Sequence, residues 1–139
     1  MQGIVIHGAR PVCGAIQVNG AKNAALPIMA GTLLTDGLNE LQRVPRLKDV
    51  RILKEILGSL GMCAERGDDG VLRLEVVDRG KCSAPRELAE QMRASICVLG
   101  PLVARRGYAE GPSRGECLIG DRPIDRRVKG LKGLGGEID

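Results

Sequence analysis

Ile4–His7 and Ala15–Asn19 read as two short strands, split by a Pro-Val-Cys-Gly turn. The period then changes. In "NGAKNAALPIMAGTLL", Leu26, Met29, Ala30 and Leu33 recur at helical spacing and form one apolar face. Pro27 is placed in the first turn of that helix, where a missing N–H does no harm, so Lys22 and Asn23 stand at its entrance. "LNELQRV" alternates as a strand does. "RLKDVRILKEILGSLG" is amphipathic through Val50, Leu53, Leu57 and Leu60, with Gly61 as its stop. "MCAERGDDGVLRLEV" predicts a hairpin turned by Asp-Asp-Gly.

The next apolar stripe is Ala89, Met92, Ile96, Leu99 and Val103, with Arg93 beside it and a bend or break expected at Gly100-Pro101. Loop and short strands are expected from Gly107 to Asp121. A last helix runs from near Asp125 to about Leu134. Two stretches echo each other: Asp49 is followed by "ILGSLG" and Asp125 by "GLKGLG". Each reads as Asp, a variable spacer, then Leu-x-x-Leu-Gly, which implies a repeated strand–helix–strand unit. The second copy stops at "GGEID", where its next strand is due, so the chain reads as cut at its C-terminus.

Composition narrows the class. A chain of 139 residues with 43% hydrophobic positions supports one domain with a real core. There is no Phe or Trp and one Tyr, so Leu, Ile, Val, Ala and Met must build that core. The net charge is +4. Between Arg105 and Lys132 eight basic residues face four acidic ones, which suits an anionic ligand as well as a solvated face. With no aromatic stacking platform and no zinc-finger spacing, nucleic acid is disfavoured. No apolar run is long enough for a membrane, and no signal peptide is evident, so a reducing cytoplasm fits. The five cysteines are odd in number and form no CxxC pair, which argues against a disulfide framework and a metal site. Most read as small buried hydrophobes, Cys97 most plainly. His7, the single histidine, reads as structural.

Three stretches carry candidate chemistry. "NGAKNAALP" places Lys22 and Asn23 where a helix start presents free N–H groups, a setting for phosphate or carboxylate; an ordinary helix start with an exposed lysine has the same spacing. "RGECLIGDRPID" puts Cys117 in a glycine-flanked loop near Arg114 and Arg122, where guanidinium groups favour thiolate; a turn with a bystander thiol reads the same. Arg93 is the third, and arginines in the middle of a helix usually pack their stems on the surface.

"GAKNAALP", "MRASICVLGPLVAR" and "CLIGDRPID", in this order and spacing, resemble the enolpyruvyl transferases of the UDP-N-acetylglucosamine 1-carboxyvinyltransferase family. The resemblance covers the whole chain but only the N-terminal part of the family's length. It implies an α/β fold, part of an inside-out α/β barrel built from repeated βαβαββ units. Residues 1–20 would be strands joining the other domain, and residues 21–139 an incomplete domain. It implies transfer of the enolpyruvyl group of phosphoenolpyruvate to the 3′-hydroxyl of UDP-N-acetylglucosamine, the first committed step of peptidoglycan synthesis, with no metal or cofactor. By the same resemblance Cys117 is the proton donor, Lys22 and Asn23 hold phosphoenolpyruvate, and Arg93 contacts the substrates' anionic groups. Arg122, Pro123, Ile124, Asp125 and Arg126 would line the uridine side of the nucleotide site.

Two features depart from the family pattern. The loop reads "GPSRGEC", with Glu116 in place of a glycine beside the thiol and the proline at position 112. A carboxylate there works against the thiolate. The carboxylate expected to take the sugar proton belongs to later family sequence. The isolated chain is therefore expected to be inactive and to self-associate through exposed domain-interface surface. The alternatives are a non-catalytic remnant that binds phosphate or uridine nucleotide, and a transferase acting on a shikimate-type acceptor. The cysteine loop speaks against the latter.

Overall fold

The structure is a computed structural model that describes residues 3–8, 11–110 and 125–138. Cys117, Arg122, Pro123 and Ile124 lie outside the described residues, as do the side chains of Arg93 and Asp125.

The first regular element is α1, Lys22–Gly31, continued by a 3-10 turn, Thr32–Leu34. Its buried residues are Ala25, Leu26, Met29 and Ala30; the predicted stripe of Leu26, Met29, Ala30 and Leu33 is buried, with Leu33 in the 3-10 turn and Ala25 added. Pro27 is not in the first turn. It is the sixth helical residue, and it removes the N–H that would reach the carbonyl of Asn23. Both residues face outward, so water can serve the freed carbonyl.

β1 is short, Asn39–Leu41. It ends in a turn where Arg43 adopts φ 54°. α2, Lys48–Ser59, buries Val50, Ile52, Leu53, Ile56 and Leu57. Gly61, at φ 83°, stops it, and its carbonyl accepts the N–H groups of Val77 and Asp78. A Cβ at Gly61 would lie 2.1 Å from the Asp78 carbonyl oxygen, so only glycine fits.

β2, Met62–Arg66, and β3, Leu72–Val76, form the expected hairpin. The Asp69 carboxylate accepts the Val71 N–H inside its turn. The sheet order is β1-β3-β2 with both pairings antiparallel, so β1 and β2 run parallel with β3 between them. α2 is the connection between β1 and β2. Leu72 pairs with Arg66 and Leu41, Leu74 with Ala64 and Asn39. Leu72 and Leu74 are buried in a core with Met29, Leu33, Leu53, Ile56, Leu57, Leu60 and Leu102. Each such side chain contributes about 2 kcal/mol by leaving water.

The Ala89–Val103 stripe is not one helix. α3 is only Arg86–Glu90, and Met92 is extended (φ −145°, ψ 120°). A 3-10 segment, Arg93–Val98, then feeds α4, Leu99–Arg106. Gly100 and Pro101 do not break the chain; they lie in the first turn of α4, where proline is tolerated. Because the break comes at Met92, the phase shifts. Val98 and Leu102 are the buried residues beyond it, while Leu99 and Val103 are half-exposed. The last described helix is α5, Asp125–Gly133.

From α1 to β3 the order is α-β-α-β-β, a βαβαββ unit without its first strand. Residues 15–19 stand where that strand would be, but neither they nor 4–7 form one, contrary to expectation. A strand needs a ladder partner. No described residue supplies one, and Ile4, Ile6, Ile16 and Val18 are exposed, Ile4 at 91%. His7 is exposed in this segment rather than structural.

Candidate functional site

The start of α1 is held by a close contact. At Gly20 an added Cβ would meet the Arg43 carbonyl oxygen at 2.1 Å. The glycine therefore lets the entrance of α1 lie against the turn that leads into α2. Ala21 is the N-cap residue and supplies no side-chain cap. Its carbonyl accepts the N–H groups of Ala24 and Ala25, at 3.2 and 2.9 Å. The amides of Lys22 and Asn23 precede any acceptor within the helix. The first turn of α1 holds no acidic residue. Among the described residues nothing caps this helix end, which therefore keeps its partial positive charge.

The Lys22 ammonium donates to the Asp49 carboxylate at 2.8 Å. Asp49 is the acidic residue in the first turn of α2. An open groove of about 590 Å³ begins at the neighbouring Lys48 and is lined also by Arg46, Arg51, Lys54 and Arg66. Five of its lining residues are basic, so the groove itself carries positive charge.

Of the other predicted residues, Asn23 is exposed beside Lys22, and Arg126 is exposed on α5. The backbone of Arg93 opens the 3-10 segment, which packs against α1. α5 instead faces α4 across a separate cavity of about 410 Å³, lined by residues such as Ile96, Leu102, Val128 and Leu131. Among the described side chains, Lys22, Asn23 and Arg126 do not line it.

The cysteines correct another expectation. Cys13 and Cys63 are exposed, while Cys82 and Cys97 are half-buried, so none of these four is a fully buried hydrophobe. Cys63 falls on the outward face of β2, and Cys13 lies in the unpaired segment. Cys97 comes nearest to the expectation, packing against the core from its edge.

Asp49 is the site residue that sequence reasoning passed over. In the sequence it marks the start of a repeat, and nothing local links it to Lys22, which is 27 residues away.

The sequence profile of EPSP synthase (3-phosphoshikimate 1-carboxyvinyltransferase) matches residues 6–139. The chain belongs to the EPSP synthase family. Among its relatives, the UDP-N-acetylglucosamine 1-carboxyvinyltransferase of Anaeromyxobacter sp. (strain Fw109-5) is 50% identical over 99% of this chain, and that of Myxococcus xanthus (strain DK1622) is 47% identical over the same share. The chain spans about a third of the length of these relatives, 33% in each case. The enolpyruvyl transferase NikO from Streptomyces tendae shares the fold, with a TM-score of 0.60 and 24% identity over 75% of this chain and 24% of its own. For this EPSP synthase family member, the α/β class and the enolpyruvyl transferase fold expected from sequence hold. No helix among the described residues is long and apolar enough to cross a membrane.

Proposed function

We propose that this chain is the N-terminal portion of a cytoplasmic enolpyruvyl transferase that moves the enolpyruvyl group of phosphoenolpyruvate to the 3′-hydroxyl of UDP-N-acetylglucosamine, within peptidoglycan synthesis. The observation that carries the reading is the start of α1, where Lys22 and Asn23 are exposed and no described residue caps the helix, a setting that suits a phosphate or carboxylate. Half of the positions shared with relatives of that name support the choice of substrates.

In this reading Lys22 and Asn23 hold phosphoenolpyruvate, and Arg93 meets the substrates' anionic groups. Arg122, Pro123, Ile124, Asp125 and Arg126 contact the uridine nucleotide. Cys117 gives its proton to the methylene carbon of phosphoenolpyruvate while the sugar oxygen bonds to the neighbouring carbon and loses its own proton. Loss of a proton from the new methyl group then expels phosphate and restores the double bond. Residues 1–20 pair with the second domain, a role that their exposed Ile4, Ile6, Ile16 and Val18 suit.

The base that takes the sugar proton is placed in sequence beyond residue 139. General base catalysis and substrate positioning are each worth factors of ~10² or more, so the 139-residue chain assayed alone releases no phosphate from the two substrates. The test of the site is covalent. In a chain extended to the relatives' length, an epoxide analogue of phosphoenolpyruvate labels Cys117 ahead of Cys13 and Cys63, although both of these are exposed. Cys117→Ala abolishes that label, and Glu116→Gly speeds it. Peptide mapping that finds the label mainly on Cys13 or Cys63 overturns the assignment.

A further inference from the structure

We propose that Asp49 is the positioning residue of Lys22: it holds the ammonium at the α1 entrance with one N–H engaged and two left to meet an anion. The inference rests on the reading of Lys22 as the residue that receives phosphoenolpyruvate.

Four observations carry it. The pair is short, 2.8 Å, and joins the first turns of two helices that pack on each other. A backbone contact lies nearby, because Gly20, just before α1, lies against the carbonyl of Arg43 in the turn five residues before α2. The close approach there brings the segments that carry Lys22 and Asp49 near each other. Asp49 sits at the second residue of α2, where the helix N-terminus favours its negative charge. Finally, the side chains remain 44% and 33% exposed, so the pair adds little to stability and its effect must be sought in geometry.

An ammonium has three donors on a flexible four-carbon stem. Free in solvent, that stem samples many rotamers, and an arriving anion must order it. With one donor on Asp49, the stem is already ordered toward the helix end. The remaining donors join the free amides of Lys22 and Asn23 in a single receptor. The opposite role is also physically defined: a carboxylate that merely competes with the anion for Lys22 would weaken binding.

Two measurements separate these roles, both on the full 139-residue chain. The first needs no ligand. In 15N-lysine side-chain NMR at low temperature, the Lys22 ammonium gives a resolved, slowly exchanging resonance. Asp49→Asn returns it to the position of the exposed lysines, and Asp49→Glu keeps it apart. A Lys22 signal unmoved by Asp49→Asn overturns the proposal. The second is phosphoenolpyruvate titration followed by 31P NMR. Asp49→Asn weakens binding ~10-fold, the scale of the rotamer freedom of one lysine stem, with the melting temperature unchanged and partial recovery in Asp49→Glu. Equal or tighter binding by Asp49→Asn, with weaker binding by Lys22→Ala, overturns the positioning role and leaves Lys22 as the receptor. Unchanged binding by Lys22→Ala removes the receptor reading itself.

Discussion

Asp36 shows how one residue can gather distant parts of the chain. Its carboxylate accepts hydrogen bonds from Arg105 on α4 and from Arg79 just after β3. The Arg105 hydrogen bond, opposed by partial desolvation and aided by the charges of both arginines, holds its pKa below the ordinary 3.8. A carboxyl whose folded value is depressed stabilises the fold above its unfolded value, and that contribution is lost as pH falls through the folded one. The stability difference between the wild type and Asp36→Asn should therefore be full at neutral pH and shrink below about pH 4, near the ordinary aspartate value. Chemical denaturation at a series of pH values measures it. A difference that stays constant down to pH 3 would show that the arginines do not depend on the charge of Asp36.

At the scale of elements, the echo between "ILGSLG" and "GLKGLG" proves to be a shared helix stop. In α2, Leu60 N–H reaches Ile56 and Leu57 carbonyls, and Gly61 N–H reaches Gly58. In α5, Leu134 N–H reaches Gly130 and Leu131, and Gly135 N–H reaches Lys132. Gly61 and Gly135 share positive φ, 83° and 90°. The surroundings differ. Gly61 abuts the Asp78 carbonyl, whereas among the described residues nothing lies within 4 Å of a Cβ at Gly135. Left-handed backbone costs a non-glycine residue about 1–2 kcal/mol, so Gly135→Ala should lose roughly that. Gly61→Ala should lose about 1–3 kcal/mol more, because its neighbours must also move. Thermal melts of the two variants compare them directly. Equal losses would mean that the Asp78 contact yields without cost.

At the scale of the whole molecule, the repeated stop is buried differently in its two copies. Leu57 and Leu60 are inaccessible, while Leu134 is 88% exposed. Ile4, Val5, Ile6, Val12, Ile16 and Val18 are exposed as well. Apolar surface gathered on an unpaired segment and a helix end favours association. Sedimentation of the 139-residue chain should show concentration-dependent oligomers, reduced by Ile16→Lys together with Val18→Lys, substitutions that leave the core untouched. A monodisperse wild-type monomer at high concentration would contradict this.

Much of this architecture is written locally. The stripe of α1, the stripe of α2, the Asp-Asp-Gly hairpin, the span of α5 and the two Leu-Gly stops are each specified within a few residues, because helical period, strand period and turn chemistry act at that range. The three motifs that carry the family resemblance are local too. Other features depended on where the elements meet. Pro27 is tolerated deep in α1 because it lies on the outward face. The Ala89–Val103 stripe is interrupted because Met92 is buried from an extended backbone, which no periodicity announces. Residues 4–7 and 15–19 carry strand-like composition but lack a ladder partner among the described residues. Lys22 finds Asp49 across 27 residues, and Arg105 finds Asp36 across 69. Sequence alone thus determined α1, α2, α5, the hairpin and the two helix stops, and which residues bear charge. Which charges face one another was decided only by packing, since contact between distant residues depends on how helices and strands are stacked and not on their own periodicity.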